Sequence, residues 1–234
     1  MDEPTPLDPG GPTMATPFVR YEPDGDIDAA DVIERIMLLS IFRIDEAVQL
    51  PFYPIAIDQY NRGRTMLFDT IEPLLLMVPS HQMAKDIRDF RSATGVELAL
   101  ANRIKCGYCY NPTERYIPFA NLRIPLDEHT EERLLREAKM PDMPFKELYF
   151  LTSGNSLHVY GDCLVDEDTY RKFLGTLLLW QYRDENQTLS DIADHRWIGH
   201  SLIRGISMIR VHERPEERQR EYRPRPTLRW TIEV

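Results

Sequence analysis

The stretch that most constrains this chain runs from residue 147 to 181: "ELYFLT", a polar "SGN" break, "SLHVYGDCLV", then "DEDTYRKFLGTLLLWQ". Two short β-rich apolar runs around a Ser-Gly-Asn-Ser turn predict a hairpin. Asp166 can then cap a helix over Asp166–Gln181, with Tyr170, Phe173, Leu174, Leu177 and Leu178 as its apolar stripe. A hairpin whose next element is an amphipathic helix packs that helix on one sheet face. The predicted class is therefore α+β, with helices covering a mainly antiparallel sheet.

The flanking segments extend this pattern. "RYIPFANLRIPL" (115–126) reads as a strand with prolines near its ends, and "DEHTEERLLREAK" (127–139) as a surface helix stopped by "MPDMP". "ISMIRVHE" and "TLRWTIEV" read as late strands. Asp28 can cap a helix presenting Val32, Ile33, Ile36, Met37 and Ile41, and His81–Ser92 reads as a second early helix with Gly95 as its stop. In 45–80, "PFYPIAI" and "TMLFDTIEPLLLMVP" are apolar pieces that period alone does not assign to strand or buried helix. Residues 1–26 carry repeated Pro, Gly and Asp without periodicity and read as a disordered acidic arm. Residues 27–234 then form one domain: an accessory part, 27–114, and a motif-bearing part, 115–234.

Charge narrows the function. The 234-residue chain carries a net charge of −10, which argues against nucleic-acid binding over its whole surface. Yet His195–Ile232 holds nine arginines against four glutamates, leaving −15 on the remainder. One basic face on an acidic body suits phosphate recognition, and a solvated arginine–glutamate surface is the alternative. No apolar run approaches the roughly 18 residues of a membrane helix. Three cysteines do not form a disulfide framework, so a reducing cytoplasm is expected. Cys106 and Cys109 have zinc-knuckle spacing but lack a second pair, and buried thiols are the favoured reading. Tyr108, Tyr110 and Tyr116 could stack bases, with sheet packing favoured.

Two segments have residue types suited to chemistry. In 152–160, Ser153 and Gly154 form a turn with free N–H groups and a hydroxyl, while His158 shares a strand face with Tyr160. In 191–211, Asp191, Asp194, Arg196, Arg204 and Arg210 put carboxylates beside phosphate-binding cations. A structural histidine and a surface ion pair are the plain alternatives.

Together these segments resemble the archaeo-eukaryotic primase, or primase-polymerase, superfamily, in particular its compact bacterial type. "TSGNSLHVYG" is similar to its second motif and "ADHRWIGHSLIRGISMIRV" to the region of its third. The resemblance spans roughly 115–234 and implies a primase-polymerase-type core with an RNA-recognition-like sheet. It implies metal-dependent nucleotidyl transfer from nucleoside triphosphates on a template and primer, in replication or repair, with Mg²⁺ or Mn²⁺. His158, Ser153 and Gly154 would then meet the nucleotide's phosphates. Asp194, with Asp191 in reserve, would hold metal, and Arg196, Arg204 and Arg210 would meet triphosphate or template. The family's first motif, an Asp-x-Asp pair, falls where this chain has Asn121 and Arg123; the nearest acid, Asp127, would then swing in as the second catalytic metal ligand beside Asp194, with Asp69 and Glu72 as distant substitutes. Two functions therefore stay open: an active nucleotidyltransferase, and a degenerate primase-like module that binds nucleotide or nucleic acid beside a partner protein.

Overall fold

The computed structural model describes residues 27–40, 47–54, 73–79, 82–94, 98–107, 113–139, 143–154, 156–184, 186–212 and 225–234. The expected arm at 1–26, and Asp69, Glu72, Tyr108, Cys109 and Tyr110, lie outside them.

Asp28 starts helix α1 (Ala29–Ser40), its Oδ1 accepting from Ala30 N at 2.9 Å and Asp31 N at 3.2 Å. Val32, Ile33, Ile36 and Met37 form the buried stripe expected from their spacing. Where the structure describes the ambiguous apolar pieces, they lie in strands β1 (Ala47–Pro54) and β2 (Leu74–Pro79), paired antiparallel with Ala47 opposite Pro79. Helix α2 (Met83–Thr94) follows, then β3 (Leu98–Ala101) and β4 (Arg103–Cys106), which sequence reading left without an assignment.

Both β3 and β4 pair with β1, so 98–106 is one strand interrupted at Asn102. β5 (Thr113–Tyr116) lies on the free edge of β4, and β11 (Met208–Arg210) on that of β3. Wholly buried Asn102 closes the gap between them: its amide N donates to Ser207 O, its Oδ1 accepts from Ser207 N, and its carbonyl accepts from Ile117 N. The result is a six-stranded antiparallel sheet.

The expected 115–126 strand is two strands in two sheets, because Ile117-Pro118 turns the chain between β5 and β6 (Phe119–Leu122). β6 joins β7 (Glu147–Thr152), β8 (Leu157–Gly161) and β12 (Thr227–Glu233) in a second antiparallel sheet, ordered β12-β7-β8-β6. β7 and β8 are the expected hairpin. Between β6 and β7 stands helix α3 (Thr130–Ala138). Helix α4 (Glu167–Leu177) follows the hairpin, Asp166 accepting from Thr169 N at 2.8 Å. It ends earlier than its sequence reads, as Gln181 opens a small hairpin of β9 (Gln181–Arg183) and β10 (Leu189–Asp191). Helix α5 (His195–Arg204) leads into β11.

The α+β class holds, with both faces of the second sheet covered rather than one. Leu148, Phe150, Leu157 and Val159 pack under Leu134, Phe173, Leu174 and Trp180. Tyr149, Leu151 and Tyr160 face a core of α1, α2 and the six-stranded sheet. A strand buried on both faces reads as a continuous apolar run, which is why alternation alone gave no second layer. The Tyr170 hydroxyl ties the layers, bonding both Phe119 O and Ser207 Oγ.

Candidate functional site

The β6–β8 register builds the site. Asn121 lies opposite His158, and Phe119 opposite Tyr160. Leu122 and Ile124 are buried on the helical side, so period-2 geometry puts Asn121 and Arg123 on the other face with His158. The outer edge of β6 is taken by 192–194: Leu122 bridges Ala193, Arg123 N donates to Ile192 O at 2.8 Å, and Asp194 N to Asn121 O at 3.1 Å. His158, Asn121 and Asp194 thereby form one row across three neighbouring strands. With strands about 4.8 Å apart, the imidazole and carboxylate stems stand about 10 Å from each other.

Asp194 caps α5. Its Oδ1 accepts from Trp197 N at 3.0 Å and its Oδ2 from Asn121 Nδ2 at 3.3 Å. His158 is buried, and its Nδ1 has no partner among the described residues. Burial first, then the charge of Arg210, pushes its pKa down to about 3. The imidazole is therefore neutral at physiological pH, with one ring nitrogen a donor and the other an acceptor. On the same strand face, the Tyr160 hydroxyl is buried without a partner among the described residues, and burial raises its pKa.

At the hairpin end, Gly154 adopts φ +84° and Ser153 N donates to Ser156 O at 2.9 Å. Arg210 reaches from β11 to this turn, its Nη2 donating to Ser153 O at 3.2 Å and to Ser153 Oγ at 3.1 Å. Ser153, His158 and Arg210 are thus brought together, and Asp194 joins them through Asn121.

The other expected residues fall elsewhere. Arg204 ends α5, about 13 Å along the helix axis from its first residue. Asp127 starts the turn before α3, accepting from His129 N at 2.9 Å and from Arg133 Nη1 at 2.8 Å. Burial acts to raise its pKa, but the bonds from Arg133 and His129 with the charge of Arg133 together outweigh it and lower the value. Asp191 accepts from Gln181 Nε2 at 3.0 Å and stands 3.3 Å from His195 Nδ1. Arg196 is exposed in the first turn of α5. Tyr116 is buried and stacks on Tyr170 with ring centroids 5.5 Å apart. Cys106 is buried, and Cys163 is a half-buried thiol.

Tested against Mg²⁺ or Mn²⁺, this donor set does not fit. Mg²⁺ takes about six oxygen ligands, several of them waters, held by one or two carboxylates together with substrate phosphates. Asp194 is the row's one carboxylate, and both its oxygens already accept bonds. Among the described residues no three His, Cys, Asp or Glu side chains group closely enough to hold a metal ion. Sequence reasoning singled out His158 and Asp194 but took Asn121 only as a missing carboxylate. The signal for its bridging role was the F-A-N-L-R-I alternation, readable once β6 was known to lie between β8 and the 192–194 segment.

Antiparallel sheets that set a histidine-bearing hairpin beside an aspartate-capped helix have the α+β architecture expected of a primase-like core. Residues 81–222, more than half of the chain, match the archaeo-eukaryotic primase 1D-like (AEP-like) family. The chain belongs to that family. The match begins at α2, well before the stretch that carries the visible motifs. No curated protein and no solved structure matches the chain. Among the described residues, no helix is long and apolar enough to cross a membrane.

Proposed function

We propose that this primase-like domain binds a phosphate-bearing nucleotide or nucleic-acid strand at the His158–Asn121–Asp194 row and acts as a binding module rather than as a polymerase. The observation that carries this reading is the buried, neutral His158, whose Nδ1 lacks a partner among the described residues and lies one strand from Asn121. An unmatched polar atom in a protein interior costs about 1–3 kcal/mol, and a ligand that supplies the missing bond recovers it. Arg210 adds positive charge beside the imidazole. A protein partner would supply any catalytic step.

Metal-dependent nucleotidyl transfer is the second reading, favoured by family membership and by the proximity of Asp194 to His158. It needs Mg²⁺ or Mn²⁺ and a second carboxylate from outside the row. The deciding experiment pairs anisotropy of a labelled primer–template with primer extension in Mn²⁺, using wild type, His158→Gln and Asp194→Ala. Binding without incorporation, weakened by His158→Gln, is the expected result. Incorporation abolished by Asp194→Ala would establish the transfer reading instead. Absence of binding to both nucleic acid and nucleoside triphosphates would reject the site.

A further inference from the structure

We infer that Arg123 contacts the ligand's phosphate directly, doing the work of a bridging divalent cation, so that binding at this row is independent of metal. This rests on the phosphate-binding reading above and specifies how the phosphate charge is met.

Four observations converge. Arg123 sits two residues beyond Asn121 on the same strand face, because Leu122 and Ile124 are buried on the other. Its backbone is held by the bond from Arg123 N to Ile192 O, one step from the paired Asn121 and Asp194. The residue is exposed, and among the described residues its guanidinium has no hydrogen-bond or ion-pair partner. The buried His158 Nδ1, unpartnered among the described residues and across the strand from Asn121, independently points to a ligand in the row.

The charges favour an anion over a cation. An exposed guanidinium on the same strand face as a lone carboxylate whose oxygens are already engaged lowers that face's attraction for a second positive charge. The same guanidinium offers a planar fork that matches two phosphate oxygens. Arg196, also exposed and without a partner among the described residues, is the second residue of α5 and adds a positive charge near the Asp194 cap.

The test uses the full chain, a fluorescein-labelled 5′-phosphorylated single-stranded oligonucleotide and, separately, ATP. Affinities are measured in EDTA, Mg²⁺ and Mn²⁺, and Mn²⁺ binding is read directly by electron paramagnetic resonance. Oligonucleotide binding with no ATP affinity would assign the phosphate to nucleic acid, and the converse to free nucleotide. Equal affinity in all three buffers is expected, with Arg123→Ala weakening binding about tenfold and Arg123→Lys recovering part of it. For the oligonucleotide, Arg123→Ala should also lower the salt slope by about one. Wild type should leave the signal of free Mn²⁺ undiminished, and a variant combining Asn121→Asp with Arg123→Asp should reduce it. Binding seen only with Mg²⁺ or Mn²⁺, or left unchanged by Arg123→Ala, would overturn this inference while sparing the phosphate reading. Absence of binding in every buffer would overturn both.

Discussion

Asn121 donates to Asp194 across 3.3 Å and 73 positions of sequence, and on its other side lies opposite His158. One neutral amide thereby joins the hairpin to the Asp194-capped helix within the second segment. A carboxylate at 121 would stand against Asp194 with like charge, whereas the amide supplies a donor.

Asp194→Ala removes the cap of α5 and leaves the Asn121 amide without its acceptor. We expect a loss of about 1–2 kcal/mol in urea unfolding. Asp194→Asn keeps a good capping oxygen and should lose much less. Equal losses for the two variants would show that charge, not capping, makes Asp194 stabilising.

His158 imposes a pH dependence on stability. Burial and Arg210 hold its pKa at about 3, against the usual 6.5. Below pH 6.5 the unfolded chain takes up a proton that the folded chain refuses, so stability falls on acidification through that window and is unaffected above it. Between pH 7 and pH 5 wild type should lose about 2 kcal/mol more than His158→Gln, measured by urea titration at each pH. Parallel curves for the two proteins would contradict a buried neutral imidazole.

Asp28 does more than cap α1. It is 2% exposed and takes Arg88 through two bonds of 2.9 Å and Arg225 through one of 2.7 Å, joining α1, α2 and the start of β12. Burial works to raise its pKa, but the bonds from Arg88 and Arg225 more than offset this and lower it. Asp28→Asn leaves these cations short of their counter-charge. Because Arg88 keeps a bond to Asp31, the expected loss is about 3 kcal/mol, near the low end for a broken buried pair. A change below about 0.5 kcal/mol in denaturant midpoint analysis would contradict the clasp.

Two glycines give opposite signs under one substitution. A Cβ at Gly161 would stand 2.6 Å from the ring of Phe145, which packs edge-on against Phe173 at 5.2 Å. Gly161→Ala should destabilise by about 1–3 kcal/mol. Gly175 lies inside α4 with nothing within 4 Å of its Cβ position, so Gly175→Ala should stabilise by about 0.5–1 kcal/mol. Differential scanning calorimetry would show melting temperatures moving in opposite directions; a shared direction would contradict the local packing.

Local chemistry made several elements legible without coordinates. Capping by Asp28 and Asp166, the stripe from Tyr170 to Leu177 and the Ser-Gly-Asn-Ser hairpin all depend on neighbours within a few residues, so the sequence records them directly. The primase-like family was readable from the same short segments. Tertiary structure decided the division of 115–126 between two sheets, the continuity of β3 and β4 around Asn102, and the meeting of Arg210 with Ser153. It also turned Asn121 from a missing ligand into the bridge of the row. These are contacts between strands far apart in the chain, fixed by register and by which face each strand buries. No local pattern encodes them, because the same alternation of side chains serves any partner strand that offers a matching apolar face.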